Sequence, residues 1–265
     1  MIKKTILTSI FLFTLSAAAQ APLDDYLQLA AENNPDLRAS FNRYRAALEA
    51  APQVKALPDP QLAFGWFIQP VETRVGPQQA KISVAHMLSR NGTLQAREEA
   101  AVNNAKAAYE MFLQHKSELF HDVRSRYYDL YFNRRAIKVT KENLEILNAF
   151  ENLAEIKVET GSASTLDLYR LEMERGELEN QLAQLQDQKS ELQIDFINLL
   201  NVNAEFEPQL PPTLENHELP WTRAQVADSI RAKNPRLAGL DYQREALTDQ
   251  EKAAKRAGGP DISLG

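Results

Sequence analysis

The chain has 265 residues, 36 acidic against 30 basic side chains, a formal charge of −6 and no cysteine. Lys and Arg are scattered among Asp and Glu rather than gathered in blocks, which excludes nucleic acid as a natural partner. The lack of cysteine removes disulfides, thiol chemistry and a lipid-bearing Cys, so stability must come from packing or assembly.

Lys3 and Lys4 precede an apolar run from Ile6 to Leu15, followed by Ala17-Ala18-Ala19. This is the layout of a secretory signal peptide over 1–19, with a mature chain starting at Gln20. The run is about half the roughly 20 residues that a membrane helix needs. Its removal takes the formal charge from −6 to −8. No later stretch approaches the ~18 consecutive apolar residues of a spanning helix, so a membrane crossing would have to be made of strands. At this point a soluble periplasmic helical protein is the alternative.

Residues 23–55 read as helix interrupted at Asn34-Pro35, where proline removes a donor and restricts the residue before it. Leu57-Pro58-Asp59-Pro60 ends that reading. Residues 61–88 then carry two alternating runs, Leu62 to Ile68 and Ala80 to Leu88, around a loop holding Pro70, Gly76 and Pro77. The pattern predicts one long β-hairpin, with Phe64, Trp66 and Phe67 as candidate membrane-interface aromatics. Strands of this kind suit a membrane barrel, but two of them cannot close one.

From 93 to 160 there is neither Gly nor Pro, and the stretch reads as one helix. At 1.5 Å per residue it is about 100 Å long, more than a compact domain can enclose. Tyr109, Phe112, Leu119, Val123, Leu130, Ile137, Leu144, Leu147, Ala154 and Val158 step by three and four, interrupted by Lys116, Arg126, Asn133, Thr140 and Glu151. Ile146, Phe150 and Leu153 form a second stripe roughly 100° away, and two stripes imply two neighbours. After Gly161-Ser162-Ala163 a return helix runs over 164–201 with Ser164 as its N-cap. Leu171, Leu178, Leu185, Leu192 and Leu199 recur every seven residues, alternating with Leu168, Leu182 and Phe196, while Arg175 and Lys189 fill the remaining slots. This is a left-handed coiled-coil seam, so the two helices should form a long antiparallel hairpin.

A Pro-rich connector occupies 208–220. An offset of 200 residues then aligns Asn34-Pro35-x-Leu37 with Asn234-Pro235-x-Leu237, Ala46 with Ala246, Pro60 with Pro260 and Gly65 with Gly265. Residues 20–207 are thus a first repeat, and 221–265 open a second that stops as its strands begin. The chain is expected to represent a little over half of a two-repeat protein.

In order and spacing these features resemble the TolC-like outer-membrane efflux family throughout the mature chain. The matching segments are the Asn33-Asn34-Pro35-Asp36-Leu37 opening, the Leu57-Pro58-Asp59-Pro60 junction, the Val84 to Leu94 passage containing Gly92, and the Gly161-Ser162-x-Ser164-x-x-Asp167-Leu168 tip. His86 stands where members carry Gln before Met, and the family's following Pro is replaced by Ser89 or Arg90. The resemblance implies a mainly α fold with a β-hairpin, a long coiled-coil hairpin and membrane-barrel strands. It further implies a homotrimer that shares an outer-membrane barrel and a periplasmic helical tunnel, docked onto a periplasmic membrane-fusion adaptor and thereby linked to an inner-membrane pump. Function would be that of a passive conduit for small molecules or ions, contacting outer-membrane lipid and needing no cofactor.

Thr160, Gly161, Ser162, Ala163 and Ser164 are the candidate adaptor-docking tip, since a turn ending a helical hairpin is exposed and small residues allow close backbone approach. His115 and His121 lie about 240° apart round a helix, and the strand neighbours His86 and Met87 point to opposite sides, so neither pair makes a metal site. No phosphate loop, zinc spacing or Ser/His/Asp arrangement is present, and no catalytic residue can be picked out. A soluble coiled-coil adaptor or scaffold of the periplasm is the competing function. Such an adaptor would flank its hairpin with Gly-rich β modules rather than with a strand hairpin and a repeat.

Overall fold

The computed structural model describes residues 22–89, 92–214, 220–259 and 262–264, so the expected signal peptide at 1–19 lies outside the described residues. The elements are α1 (Pro22–Asn33), α2 (Pro35–Lys55), β1 (Gln61–Thr73), β2 (Gly76–Leu88), α3 (Thr93–Glu159), α4 (Thr165–Leu200), α5 (Arg223–Lys233), α6 (Pro235–Ala257) and β3 (Ile262–Leu264). Contacts divide the chain into two compact units, one of residues 1–30 and 123–214, the other of residues 31–122 and 215–265.

In the first unit, α3 from Val123 onward runs antiparallel to α4. Arg126 meets Asp195 at 3.4 Å, Asn133 Nδ2 donates to the Leu185 carbonyl at 3.1 Å and to Gln188 at 3.2 Å, and Glu151 meets Arg175 at 3.0 Å. Leu130 and Leu147 of α3 and Leu192 and Phe196 of α4 are buried, while Ile137, Leu144, Leu171, Leu178, Leu182 and Leu185 are half-buried. Two seam positions differ from expectation. Lys189 is exposed, and Leu200 rather than Leu199 is fully enclosed. For Lys189 the cause is the charge, which stays in water although Phe196, seven residues on, is fully buried. For Leu200 it is geometry: an α-helix drifts by about 20° per heptad against a 7-residue repeat, so the four heptads from Leu171 to Leu199 move the buried direction on by nearly one residue.

The open end of this hairpin is closed by an aromatic cluster. Tyr26 of α1 packs edge-on against Phe196 at 5.3 Å and against Phe206 at 5.9 Å, and Tyr127 lies 5.9 Å from Tyr26. The Tyr26 hydroxyl accepts the Gln209 N–H at 2.7 Å, and Arg134 donates to the carbonyls of Leu210 (3.0 Å) and Pro211 (2.7 Å). These bonds tie the connector down. Burial among these rings pushes the Tyr127 phenol above its ordinary pKa and keeps it neutral.

Asn133 sits inside the seam, 5% exposed, with its Oδ1 buried and unpartnered. Its side chain therefore carries an uncompensated desolvation cost. Replacing it with leucine is expected to stabilise the full-length protein by about 1–2 kcal/mol. The check is urea unfolding followed by helical circular dichroism, and an unchanged or lowered midpoint would contradict it.

In the second unit, α2 starts with Asn34 as N-cap accepting from Leu37 N at 2.8 Å and Pro35 in the first turn. The interruption expected at Asn34-Pro35 within 23–55 separates two helices, because the Asn34 backbone is extended (φ −71°, ψ 117°). The same device recurs 200 residues on, where Asn234 accepts from Arg236 N at 2.9 Å ahead of Pro235. Against α2, the α3 helix uses rings: Phe41 lies 5.3 Å from Phe112, and Tyr44 lies 5.1 Å from Tyr109, which itself stays 39% exposed. Elsewhere the buried positions of this part of α3 are Thr93, Ala96, Ala100, Ala105, Ala107 and Leu119, with Ala246 and Ala253 buried on α6. Asn103 Nδ2 bonds the buried Asp249 carboxylate at 2.9 Å, so α6 meets α3 closely enough for short side chains to touch. At the start of α3, Gly92 takes φ +82°, and Arg256 of α6 donates to its carbonyl at 2.6 Å where any Cβ would collide.

The sheet has the order β1-β2-β3, all antiparallel. In place of the loop expected around Pro70, Gly76 and Pro77, both strands run to a tight turn at Arg74-Val75. Gly76 closes it at φ +125°, with Thr73 Oγ1 donating to the Gly76 carbonyl at 2.7 Å. The register is regular from Gln61 to Trp66, then slips so that residues 67–70 stand against Gln79 alone. Pro70 falls in that bulge, where its missing N–H costs no ladder bond.

Candidate functional site

Three surfaces carry the site residues. The first is the β1–β2 hairpin. Directly opposed residues of an antiparallel pair share a face, and the pairs Leu62↔Val84, Phe64↔Ile82 and Trp66↔Ala80 put the apolar residues on one side. Leu62, Phe64, Trp66, Ile82 and Val84 are all exposed, and Ile68, of the same parity, is 96% exposed. The opposite face is Gln61, Ala63 and Gly65 against Ala85, Ser83 and Lys81. Phe64 and Trp66 are therefore together, whereas Phe67 has the other parity, is half-buried and sits at the slip in register. It does not extend the apolar face of its two aromatic neighbours.

The second surface is the tip. α3 ends in a Schellman motif, with Ser162 N bonded to Lys157 O (2.7 Å) and Gly161 N to Val158 O (3.0 Å) around Gly161 at φ +72°. Ser164 then caps α4 by accepting from Leu166 N at 3.2 Å. Thr160, Gly161, Ser162 and Ser164 are exposed and Ala163 is half-buried, so the five expected tip residues form one rigid, accessible turn.

The third surface is longer than the three-residue stripe expected from sequence. Ile146, Phe150 and Leu153 are exposed, and the same stripe continues to Phe132, Val139 and Ile156. Phe132, Val139, Ile146 and Leu153 recur every seven residues, which is the sequence signal for a second seam. On α4, Leu166, Tyr169 and Met173 are exposed at spacings of three and four. Near the tip, Arg175 is held by Glu151 across the hairpin and by Glu179 on its own helix at 2.9 Å. The bond to Glu179, with the charge of Glu151, raises the Arg175 pKa further and fixes it as a cation.

Among the described residues no group of three or more His, Cys, Asp or Glu could hold a metal, and no helix is long and apolar enough to cross a membrane. His121 and Glu118 are exposed, His115 is half-buried, and His86 and Met87 occupy successive strand positions.

The model of the family described as "Outer membrane efflux protein" matches residues 26–202. The chain belongs to the outer membrane efflux protein family. OpmQ, a pyoverdine export outer membrane protein of Pseudomonas putida, is 24% identical over 268 residues, covering 94% of this chain and 56% of its own length. The crystal structure of CusC superposes with a TM-score of 0.75 at 20% identity, over 91% of this chain and 58% of that one. The outer membrane protein VceC of Vibrio cholerae gives 0.69 at 16% identity, over 91% and 60%. These likenesses agree with the mainly helical fold and strand hairpin expected from sequence. The chain spans somewhat more than half the length of the relatives it matches. The family is one of efflux proteins and not a class of enzymes.

Proposed function

We propose that this chain is the first repeat, and the opening of the second, of the outer-membrane channel component of a tripartite efflux system. The protomer assembles as a homotrimer in the outer membrane, with a periplasmic helical tunnel, and acts as a passive conduit for small molecules or ions. No catalytic residue takes part. A periplasmic membrane-fusion adaptor docks at Thr160–Ser164, and an inner-membrane pump supplies the energy.

The observation that carries this reading is one strand hairpin whose exposed face is Leu62, Phe64, Trp66, Ile82 and Val84. A soluble monomer rarely leaves so extended an apolar face in water, and so few strands must find others to become a closed wall. β3 pairing to β2 through His86↔Leu264 and Leu88↔Ile262 supports continuation of the sheet by a second repeat. The exposed heptad stripe on α3 supports a helical neighbour from another copy.

The full-length protein is expected to sediment with outer membranes and to be released only by detergent. Recovery in the soluble periplasmic fraction would sink the proposal in favour of a soluble adaptor.

A further inference from the structure

The two faces of the strand hairpin differ in charge as well as in polarity. Their assignment to lipid and to water rests on the proposed place of the hairpin in a barrel wall. In the regularly paired stretch, Gln61–Trp66 against Ala80–Ala85, Lys81 is the only charged side chain. Cross-strand pairing with Gly65 puts it on the small, polar face, away from Phe64, Trp66 and Ile82. A Cβ built on Gly65 would meet nothing within 4 Å, so the Lys81 stem does not fold back over its partner and the space above the strand is open. Lys81 is exposed and has no ion pair among the described residues. The next charges along the hairpin, Glu72 and Arg74, lie beyond the slip in register, at the turn, and are of opposite sign.

When an apolar face turns to lipid, the alternate face lines the water-filled interior. A cation there, repeated once per protomer, raises the local concentration of anions within a Debye length of about 10 Å at 0.1 M salt. We propose that Lys81 is a pore-facing cation that favours anionic solutes, carboxylate-bearing organic anions among them, in the outer-membrane segment of the duct. The residues around it on that face, Ala63, Gly65, Ser83 and Ala85, are small, so what Lys81 adds there is charge rather than bulk.

The test uses the full-length protein in planar bilayers under a potassium chloride gradient at low ionic strength. This chain has no cysteine, and in a Lys81→Cys variant with any cysteine elsewhere in the full-length protein replaced, the position can be charged in place with water-soluble thiosulfonates. An ammonium-bearing reagent should restore the wild-type chloride-to-potassium permeability ratio, and a sulfonate-bearing reagent should lower it by about twofold or more. Lys81→Glu should match the sulfonate adduct, and the difference should shrink as salt is raised. Open channels with the same ratio for both adducts and for Lys81→Glu would overturn the inference while leaving the conduit standing. A lysine that merely guards an open strand edge would give that result. Absence of any conductance from the wild-type protein would instead overturn the conduit reading, and this inference with it.

Discussion

Replacing Phe196 with alanine is expected to cost about 3–5 kcal/mol of stability, the range for truncating an enclosed aromatic. The ring is 0% exposed and lies 5.3 Å from Tyr26 and 6.3 Å from Tyr127, so three elements lose their common contact at once. A cavity there cannot collapse easily, because Tyr26 is also fixed through its hydroxyl to the backbone of Gln209. Denaturant unfolding followed by helical circular dichroism measures the loss. Leu153→Ala is the internal comparison, since that side chain is 55% exposed and its removal should change the stability of an unassembled chain by less than about 0.5 kcal/mol. A Phe196→Ala loss below about 1 kcal/mol would mean that the cluster is not the anchor of this end of the hairpin.

The second large effect concerns insertion. Phe64→Arg places a charge on the face that also carries Leu62, Trp66, Ile82 and Val84. On a lipid-facing strand position near the midplane such a change costs about 2–4 kcal/mol per site. Repeated in every copy of an assembly, it should remove most of the protein from the outer-membrane fraction. Ala63→Arg, one residue away but on the other face, should be inserted at near wild-type levels. Equal loss for both variants would show that the hairpin tolerates no charge on either side and that its two faces are not lipid and water.

Much of this architecture is legible in the sequence, for reasons that differ by element. Thr93–Glu159 is recognisable because no Gly or Pro interrupts it, and its return partner because leucine recurs every seven residues. The tip is readable from Gly161 and Ser164, whose cap roles depend only on local backbone. The strands are less legible. Pro70, Gly76 and Pro77 suggest a loop by composition, yet the bulge accommodates one proline and a two-residue turn needs the glycine, so strand pairing extends past all three. Phe67 looks equivalent to Phe64 and Trp66 by residue type, although parity alone separates it from them. Lys189 falls between Leu182 and Phe196 in the heptad count, yet it is exposed, because an ammonium group stays in water rather than entering an apolar seam. Phe132, Val139 and Ile156 are visible as apolar residues at helical spacing, but only their exposure identifies them as a seam without a partner among the described residues.

The central claim is that the hairpin is a piece of barrel wall with lipid on one face and water on the other. The most direct measurement is cysteine substitution one residue at a time from Gln61 to Trp66 in the full-length protein, held in its native outer membrane. Each variant is challenged with a water-soluble thiol reagent and a lipid-soluble one. An alternating pattern is expected, with Leu62, Phe64 and Trp66 reacting from lipid and Gln61, Ala63 and Gly65 reacting from water. Uniform reaction with the water-soluble reagent at all six positions would contradict the claim.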